Sequence, residues 1–339
     1  MEIDHSFFMN LAIAEAWKYQ GLTYPNPAVG CAIVGEHGEL LAVEAHKRAG
    51  EPHAEVNALQ KAYYKLTQDE TILSLSDSTD IHHYLLKNHN NIFVNCSLYS
   101  TLEPCSHVGK TPSCANLIAQ LGIKHIFIGA QDFNDEAANG NVILKESGSK
   151  LVLHVEQKKC EELLYPFKKF ITDGFVFFKW AQRLNGTTDN GIISSAESRK
   201  QVHAMRDVCD LLVIGGNTVR HDRPTLDARL VSGKAPDVLV LSCRNDFDPS
   251  IPLFHVPNRK VYIEENFNIL NNYKNIMIEG SEKMYELSRD LVDYYLCYLA
   301  PAFGGNNGFE DIENKLHILN ARKDVQDIIM WMKRIDDNE

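Results

Sequence analysis

The feature that most restricts the fold of this chain is a set of potential metal ligands divided between two distant segments. His53 lies in Pro52-His53-Ala54-Glu55, Cys105 follows 52 positions later (105 − 53), and Cys114 comes eight intervening residues after that (114 − 105 − 1). One imidazole and two thiolates form a ligand set for catalytic zinc, which keeps its fourth position for water. The fold must therefore bring these segments to one point, where Glu55, not needed as a ligand, is predicted to be the catalytic proton shuttle.

Length and charge restrict the class of protein. A chain of 339 residues is long enough for about two domains. The net charge of −11 provides no basic field for nucleic acid, and no apolar run reaches the roughly 20 residues that cross a bilayer. We therefore expect a cytoplasmic protein that acts on a small molecule, with no nucleic-acid or membrane partner. Its eight cysteines are predicted to be reduced thiols and metal ligands.

Hydrophobic periodicity predicts an α/β organisation in both halves. In the first half the expected elements are helices at 4–20, from Pro52, from Ser113 to Gly122 and at 161–170, and strands at 29–34, 40–44, 91–99, 125–129 and 150–155. In the second half, strands are expected at 175–180, 210–214, 237–241, 276–278 and 294–299. Residues 66–90 are expected to be a polar insertion in which His82 and His83 are solvated.

Several motifs closely resemble the bifunctional riboflavin biosynthesis deaminase/reductase family. They are the segments 25–30, 49–55, 101–107 and 109–114, which read PNPAVG, AGEPHAE, TLEPCSH and GKTPSC. The resemblance implies a cytidine-deaminase-like three-layer α/β/α domain followed by a dihydrofolate-reductase-like α/β domain. The expected bounds are 1–155 for the zinc-dependent deaminase, 156–173 for a linker helix and 174–339 for the reductase.

The resemblance also implies the chemistry of the first domain. Zinc, held by His53, Cys105 and Cys114, would serve the hydrolytic deamination of 2,5-diamino-6-ribosylamino-4(3H)-pyrimidinone 5′-phosphate. Asn26 would hydrogen-bond the pyrimidine, and Lys110 would hold the phosphate. An ordinary turn role for Asn26 and a surface role for Lys110 are the alternatives.

For the second domain, the resemblance implies reduction of the ribosyl group to ribityl with NADPH. The residues that match the family's cofactor contacts are Ala181, Thr218, Asp222, Ser242 and Ser281. Those that match its substrate contacts are Lys179, Arg206, Leu226, Arg229 and Glu279. A solvated helix position is the alternative for Arg206. The enzyme is expected to be a homo-oligomer.

Two departures from the family pattern affect the second domain. Asn185 stands where the family has Asp, and Ile192-Ile193-Ser194-Ser195 stands where it has a Trp-Ile-Thr segment. A deaminase with a decayed reductase domain is therefore one alternative. The others are a nucleobase deaminase with a different substrate and a non-catalytic nucleotide-binding protein with structural zinc.

Overall fold

A computed structural model describes residues 4–106, 111–133, 139–310 and 312–335. The chain divides into two compact units, with the division between Lys168 and Lys169. No helix in these ranges has the length and apolar content needed to cross a lipid bilayer.

The first unit is built on a five-stranded mixed sheet of order β2-β1-β3-β4-β5. Strand β1 is antiparallel to β2 and β3, whereas β3, β4 and β5 run parallel. In chain order the helices and strands are α1 (His5–Trp17), β1 (Gly30–Val34), β2 (Leu40–Ala45), α2 (Ala54–Thr67), α3 (Ser78–Asn88), β3 (Ser97–Leu102), α4 (Cys114–Gln120), β4 (His125–Ala130), α5 (Gly140–Glu146), β5 (Lys150–Leu153) and α6 (Gln157–Ile171).

Helices cover both faces of this sheet, as successive residues of β1 show. Gly30 faces α1 so closely that a Cβ there would lie 1.9 Å from the carbonyl oxygen of Ala12. The next residue, Cys31, points to the other face, where its thiol interacts with the carboxylate of Glu55 on α2. The predicted three-layer α/β/α arrangement is therefore confirmed.

Two expectations for the first unit need correction. The strand predicted at 91–99 is Ser97–Leu102, since Asn90 and Asn91 have φ angles of 44° and 60°, which interrupt an extended chain. The insertion at 66–90 is ordered as a 3₁₀ helix, Glu70–Ser74, followed by α3. The prediction that both histidines of α3 are solvated is half wrong, because His83 is exposed and His82 is buried.

The second unit is built on an eight-stranded mixed sheet of order β12-β13-β11-β6-β10-β7-β8-β9. The strands from β11 to β9 in this order are parallel, and β12 and β13 form an antiparallel hairpin beside β11. Its helices and strands are β6 (Phe175–Arg183), α7 (Ala196–Val208), β7 (Leu211–Gly215), α8 (Gly216–Asp222), β8 (Asp237–Leu241), β9 (Val261–Glu264), β10 (Asn275–Glu279), α9 (Glu282–Ser288), β11 (Tyr294–Ala300), β12 (Leu316–Asp324) and β13 (Asp327–Arg334).

The five strands predicted for the second half are β6, β7, β8, β10 and β11, and all five are confirmed. Their side chains are largely buried, as expected of parallel strands covered by helices. The edge strands β9 and β12 were not predicted, nor was β13, which lies between β12 and β11. In β12 the polar and charged residues outnumber the apolar ones and most side chains are partly or fully exposed, so its pairing with β13 has little hydrophobic signature.

Candidate active sites

The three predicted metal ligands converge in the first unit. His53 precedes α2, Cys105 follows β3 and Cys114 opens α4. The Nδ1 atom of His53 lies 3.7 Å from the Sγ atom of Cys105 and 3.5 Å from that of Cys114, and the three donor atoms are all within 4.8 Å of one another. Across the described ranges, no fourth His, Cys, Asp or Glu joins this group. A three-ligand set with one position left for water fits catalytic zinc.

The pKa of one of the two ligand thiols is low enough to favour the thiolate form. A hydrogen bond from the Cys114 thiol lowers the pKa of Cys105 to about 4, and His53 adds to the effect. The backbone N–H of Cys114 also donates to the Cys105 sulfur at 3.5 Å. A thiolate is the form that binds metals, so the site already favours one anionic ligand before a cation neutralises the pair.

Glu55 lies beside the ligand group in the first turn of α2. Its residue is 4% exposed, and the Ser100 hydroxyl donates to its Oε1 at 3.4 Å. Burial raises the pKa of this carboxyl group. Glu55 is thus a buried carboxyl group at the metal-ligand cluster that is not part of the ligand set.

Asn26 lies next to the same cluster through a histidine that the sequence reasoning missed. The Asn26 side-chain nitrogen is 3.1 Å from Nε2 of His46, and the His46 ring packs edge-on against His53 with centroids 5.5 Å apart. Burial, and then the neighbouring His53, lower the pKa of His46 to about 4, which keeps its ring neutral. The sequence signal was the position of His46 directly after a strand and shortly before the Pro52 motif. Lys110 lies outside the described residues.

In the second unit, three of the expected substrate residues form one buried ionic cluster. Arg206 donates from Nη2 to both carboxylate oxygens of Glu279 at 2.8 and 3.1 Å, and from Nε at 3.0 Å. Lys179, which neighbours Glu279 across the β6–β10 pairing, has its Nζ 3.7 Å from the same carboxylate. Burial alone would raise the pKa of Glu279, but the charges of Arg206 and Lys179 lower it to about 2. The cluster carries one net positive charge.

The other two expected substrate residues lie on the segment after α8. Leu226 is buried and has a φ angle of 54°. The Asp227 carbonyl accepts from Arg206 at 3.4 Å, and the Asp227 carboxylate accepts from Arg229 at 2.6 Å. Asp227 therefore connects Arg229 to the cluster.

The expected cofactor residues lie along the parallel strands of the second sheet and just after them. Ala181 is in β6, Thr218 is in the first turn of α8, Ser242 follows β8 and Ser281 follows β10. A Cβ on Gly216 would be 2.6 Å from that of Ser242, and one on Gly215 would be 3.9 Å from the Thr218 hydroxyl. Asp222 is the last residue of α8, where its carboxylate is 3.0 Å from the His221 ring. Asp222 thus lies a turn beyond Thr218 on the same short helix.

The fold and the metal-ligand cluster together define a two-domain enzyme with a zinc-type deaminase domain before a reductase domain. Residues 2–130 match the family described as the cytidine and deoxycytidylate deaminase zinc-binding region, and residues 175–330 match the RibD C-terminal domain.

Relatives extend this match over the whole chain. The chain is 34% identical to the riboflavin biosynthesis protein RibD of Bacillus amyloliquefaciens, over 92% of this chain and 91% of the relative. It is 29% identical to that of Aquifex aeolicus, over 98% of this chain and 99% of the relative. The chain therefore belongs to the RibD family, and it is a deaminase and reductase of riboflavin biosynthesis.

A solved structure has the same architecture. The diaminohydroxyphosphoribosylaminopyrimidine deaminase/5-amino-6-(5-phosphoribosylamino)uracil reductase of Thermotoga maritima is 25% identical, with a TM-score of 0.64. The alignment covers 97% of this chain and 98% of that one. The expected pair of fold classes is therefore confirmed.

Proposed function

We propose that the first domain removes the 2-amino group of 2,5-diamino-6-ribosylamino-4(3H)-pyrimidinone 5′-phosphate by hydrolysis. The observation that carries the proposal is the meeting of His53, Cys105 and Cys114 beside the buried carboxyl group of Glu55. In the reaction, water adds to the ring carbon that bears the amino group, the carbon–nitrogen bond breaks, ammonia leaves and a carbonyl remains.

The residues of the first domain have different proposed roles in this reaction. Zinc, when bound by the three ligands, supplies a Lewis acid and lowers the pKa of water. Glu55 takes a proton from the attacking water and delivers it to the departing nitrogen. Asn26 orients the pyrimidine by hydrogen bonds, while the neutral His46 ring holds the Asn26 amide in place. Lys110 is proposed as a phosphate ligand from the sequence motif alone.

The second domain is proposed to reduce the ribosyl group to ribityl. NADPH, when bound, supplies the hydride. Its proposed contacts are Ala181, Thr218, Asp222, Ser242 and Ser281, four of which are small residues that leave room for a dinucleotide along adjacent strands.

The ionic cluster is proposed to bind the phosphorylated substrate. Lys179, Arg206 and Glu279 give a buried site with one net positive charge, to which Arg229 adds a more exposed cation and Leu226 an apolar contact. Glu279 neutralises part of the positive charge of this cluster. Arg206 is therefore not an unpaired buried charge before the phosphorylated substrate binds.

The integrity of this cluster argues against a decayed reductase domain. Asn185, which replaces the family's Asp, donates from its side chain to the carbonyl of Gly304 at 2.9 Å and so retains a structural role. Ile192, at the place of the family's Trp, is 71% exposed and leaves no aromatic ring at that position. We propose that reduction persists without that ring.

One two-step assay tests the proposed function. The purified, zinc-loaded chain is incubated with the diaminopyrimidine phosphate, and ammonia release and NADPH oxidation are followed together. We expect both. Ammonia without NADPH oxidation would identify a decayed reductase domain, and neither product with zinc bound would identify a binding protein. Release of ammonia only from cytosine or adenine compounds would identify a nucleobase deaminase.

The remaining proposals concern domains, assembly and location. We propose domain bounds of 1–155 and 174–339, with α6 as the main part of the connecting segment 156–173. We also propose a cytoplasmic homo-oligomer, for which the exposed Ile318 and Ile328 on the β12–β13 hairpin are candidate contacts. Light scattering of the eluting protein measures the oligomeric state directly.

A further inference from the structure

The insertion between α2 and β3 is fixed against the deaminase domain by specific contacts. Gln60 of α2 donates from its buried side chain to the carbonyls of Ile72 and Leu75, at 2.7 and 2.9 Å. The Tyr84 hydroxyl donates to Asp69 at 2.5 Å, and its ring packs edge-on against Tyr63. The insertion is therefore held in a defined position relative to α2.

This placement buries one face of α3. The buried residues of α3 are spaced three and four apart, as one helix face requires, and they are Ser78, Ile81, His82 and Leu85. The helix packs against both α2 and α4. Helix α2 begins directly after His53 and helix α4 begins at Cys114, so α3 packs against both of the helices that adjoin or contain these metal ligands.

His82 is the one titratable residue among these four, and like the Ser78 hydroxyl it has a buried polar atom without a partner in the described ranges. It is 4% exposed, and its Nε2 atom is buried with no hydrogen-bond partner among the described residues. A buried polar atom without a partner is unfavourable, so it calls for an explanation. The electrostatic interactions of the ring are with Cys105 and His53, besides its neighbour His83.

The chemistry of the ring suits a thiolate neighbour. Burial lowers the pKa of His82 to about 4, so the imidazole is neutral near pH 7 and carries one N–H group. A neutral N–H donor lowers the electron donation of a thiolate without adding a charge near the cation. Such outer-shell donors orient metal ligands and tune the metal.

We propose that His82 is a positioning residue of the metal centre, which presents its Nε2–H to the thiolate of Cys105 when the cation is bound. The inference rests on the proposed zinc site and deepens it. It gives the insertion a role: the extra helix supplies an outer-shell contact to a metal ligand on a different segment of the chain.

The test compares two amide substitutions of similar polarity. In His82→Gln the side-chain nitrogen reaches the place of Nε2, whereas in His82→Asn it reaches only the place of Nδ1. We expect His82→Asn to weaken zinc binding about 10- to 100-fold in a chelator competition. His82→Gln should restore most of the affinity, and His83→Asn, on the exposed side of α3, should match the unaltered protein.

Cobalt substitution provides a readout that a purely structural role would not change. A hydrogen bond to a thiolate lowers the energy of the sulfur electrons, so its loss should move the sulfur-to-cobalt charge-transfer band to longer wavelength in His82→Asn. The band should stay in place in His82→Gln and His83→Asn. Equal zinc affinity and an unshifted band in a folded His82→Asn protein would overturn the inference and assign Nε2 to a buried water.

The experiments distinguish an error in the proposed function from an error in this inference. If the unaltered protein binds no zinc or releases no ammonia, the deaminase assignment itself is wrong. If it does both while His82→Asn behaves identically, only the role of His82 is wrong.

Discussion

At the scale of single residues, the same type of side chain has different chemistry in the two domains because its neighbours differ. Glu55 is buried near thiols and a histidine, and burial raises its pKa. Glu279 is also largely buried, with 13% of its side chain exposed, but it faces Arg206 and Lys179, whose charges outweigh burial and lower its pKa to about 2. One carboxyl group is thus suited to exchange protons, and the other to remain ionised.

Replacing Glu55 by Gln tests the first of these roles. We expect ammonia release to slow by about 10²- to 10⁴-fold, because the amide cannot carry the proton from water to the leaving nitrogen. Zinc content per chain should stay unchanged, since Glu55 is not in the ligand set. Glu51→Gln, at an exposed carboxylate of the same motif, is the matched control. Full activity in Glu55→Gln would refute the assignment.

The ionised state of Glu279 leads to a pH prediction. Its pKa falls from an ordinary value of 4.5 to about 2 in the folded protein, so its stabilising effect is complete above pH 4.5 and disappears as the pH falls toward 2. Glu279→Gln should lower the melting temperature at neutral pH, because it leaves Arg206 and Lys179 buried without their partner. The difference from the unaltered protein should narrow between pH 4.5 and 2. A constant difference across that range would contradict the ion-pair argument.

At the scale of elements, strand and helix ends bring the functional groups together. In the first domain the ends are the start of α2, the end of β3 and the start of α4. In the second, they are the carboxyl ends of neighbouring parallel strands, where ligands bind in open α/β sheets. Close packing of α1 on β1 at Gly30 supports the sheet from which the first site is built.

Substitution of Gly30 by Ala tests that packing. The added Cβ would lie 1.9 Å from the backbone of α1, which cannot rotate away as a side chain can, so the helix must shift. We expect a loss of about 1–3 kcal/mol in urea unfolding of the first domain. Gly35→Ala is the control, because its Cβ would meet only the flexible carboxylate of Glu39. Equal unfolding midpoints for both variants would show that α1 is not closely packed there.

At the scale of the whole molecule, the two candidate sites consist of separate sets of residues. The metal ligands all belong to the unit that ends at Lys168, and the ionic cluster belongs to the unit that begins at Lys169.

Zinc removal should therefore separate the two reactions. After chelation we expect ammonia release to stop, whereas NADPH oxidation with the deaminated intermediate as substrate should continue at its former rate. Metal analysis confirms removal, and added zinc should restore deamination. Parallel loss of both activities would show that the reductase domain depends on the metal.

The sequence by itself determined the α/β class, and it predicted the three zinc ligands and Glu55 as the proton shuttle, since these depend on runs of apolar residues and on residue types at fixed spacing. Tertiary structure decided the partners of side chains that carry no local signal. Neither His46 nor His82 belongs to a recognisable motif, and only packing places His46 against Asn26 and buries His82 in a helix that packs against α2 and α4. Similarly, the local sequence around Arg206 does not show whether its side chain is solvated or paired with Glu279. The contact between Arg206 and Glu279 joins positions 73 residues apart, so it depends on the fold.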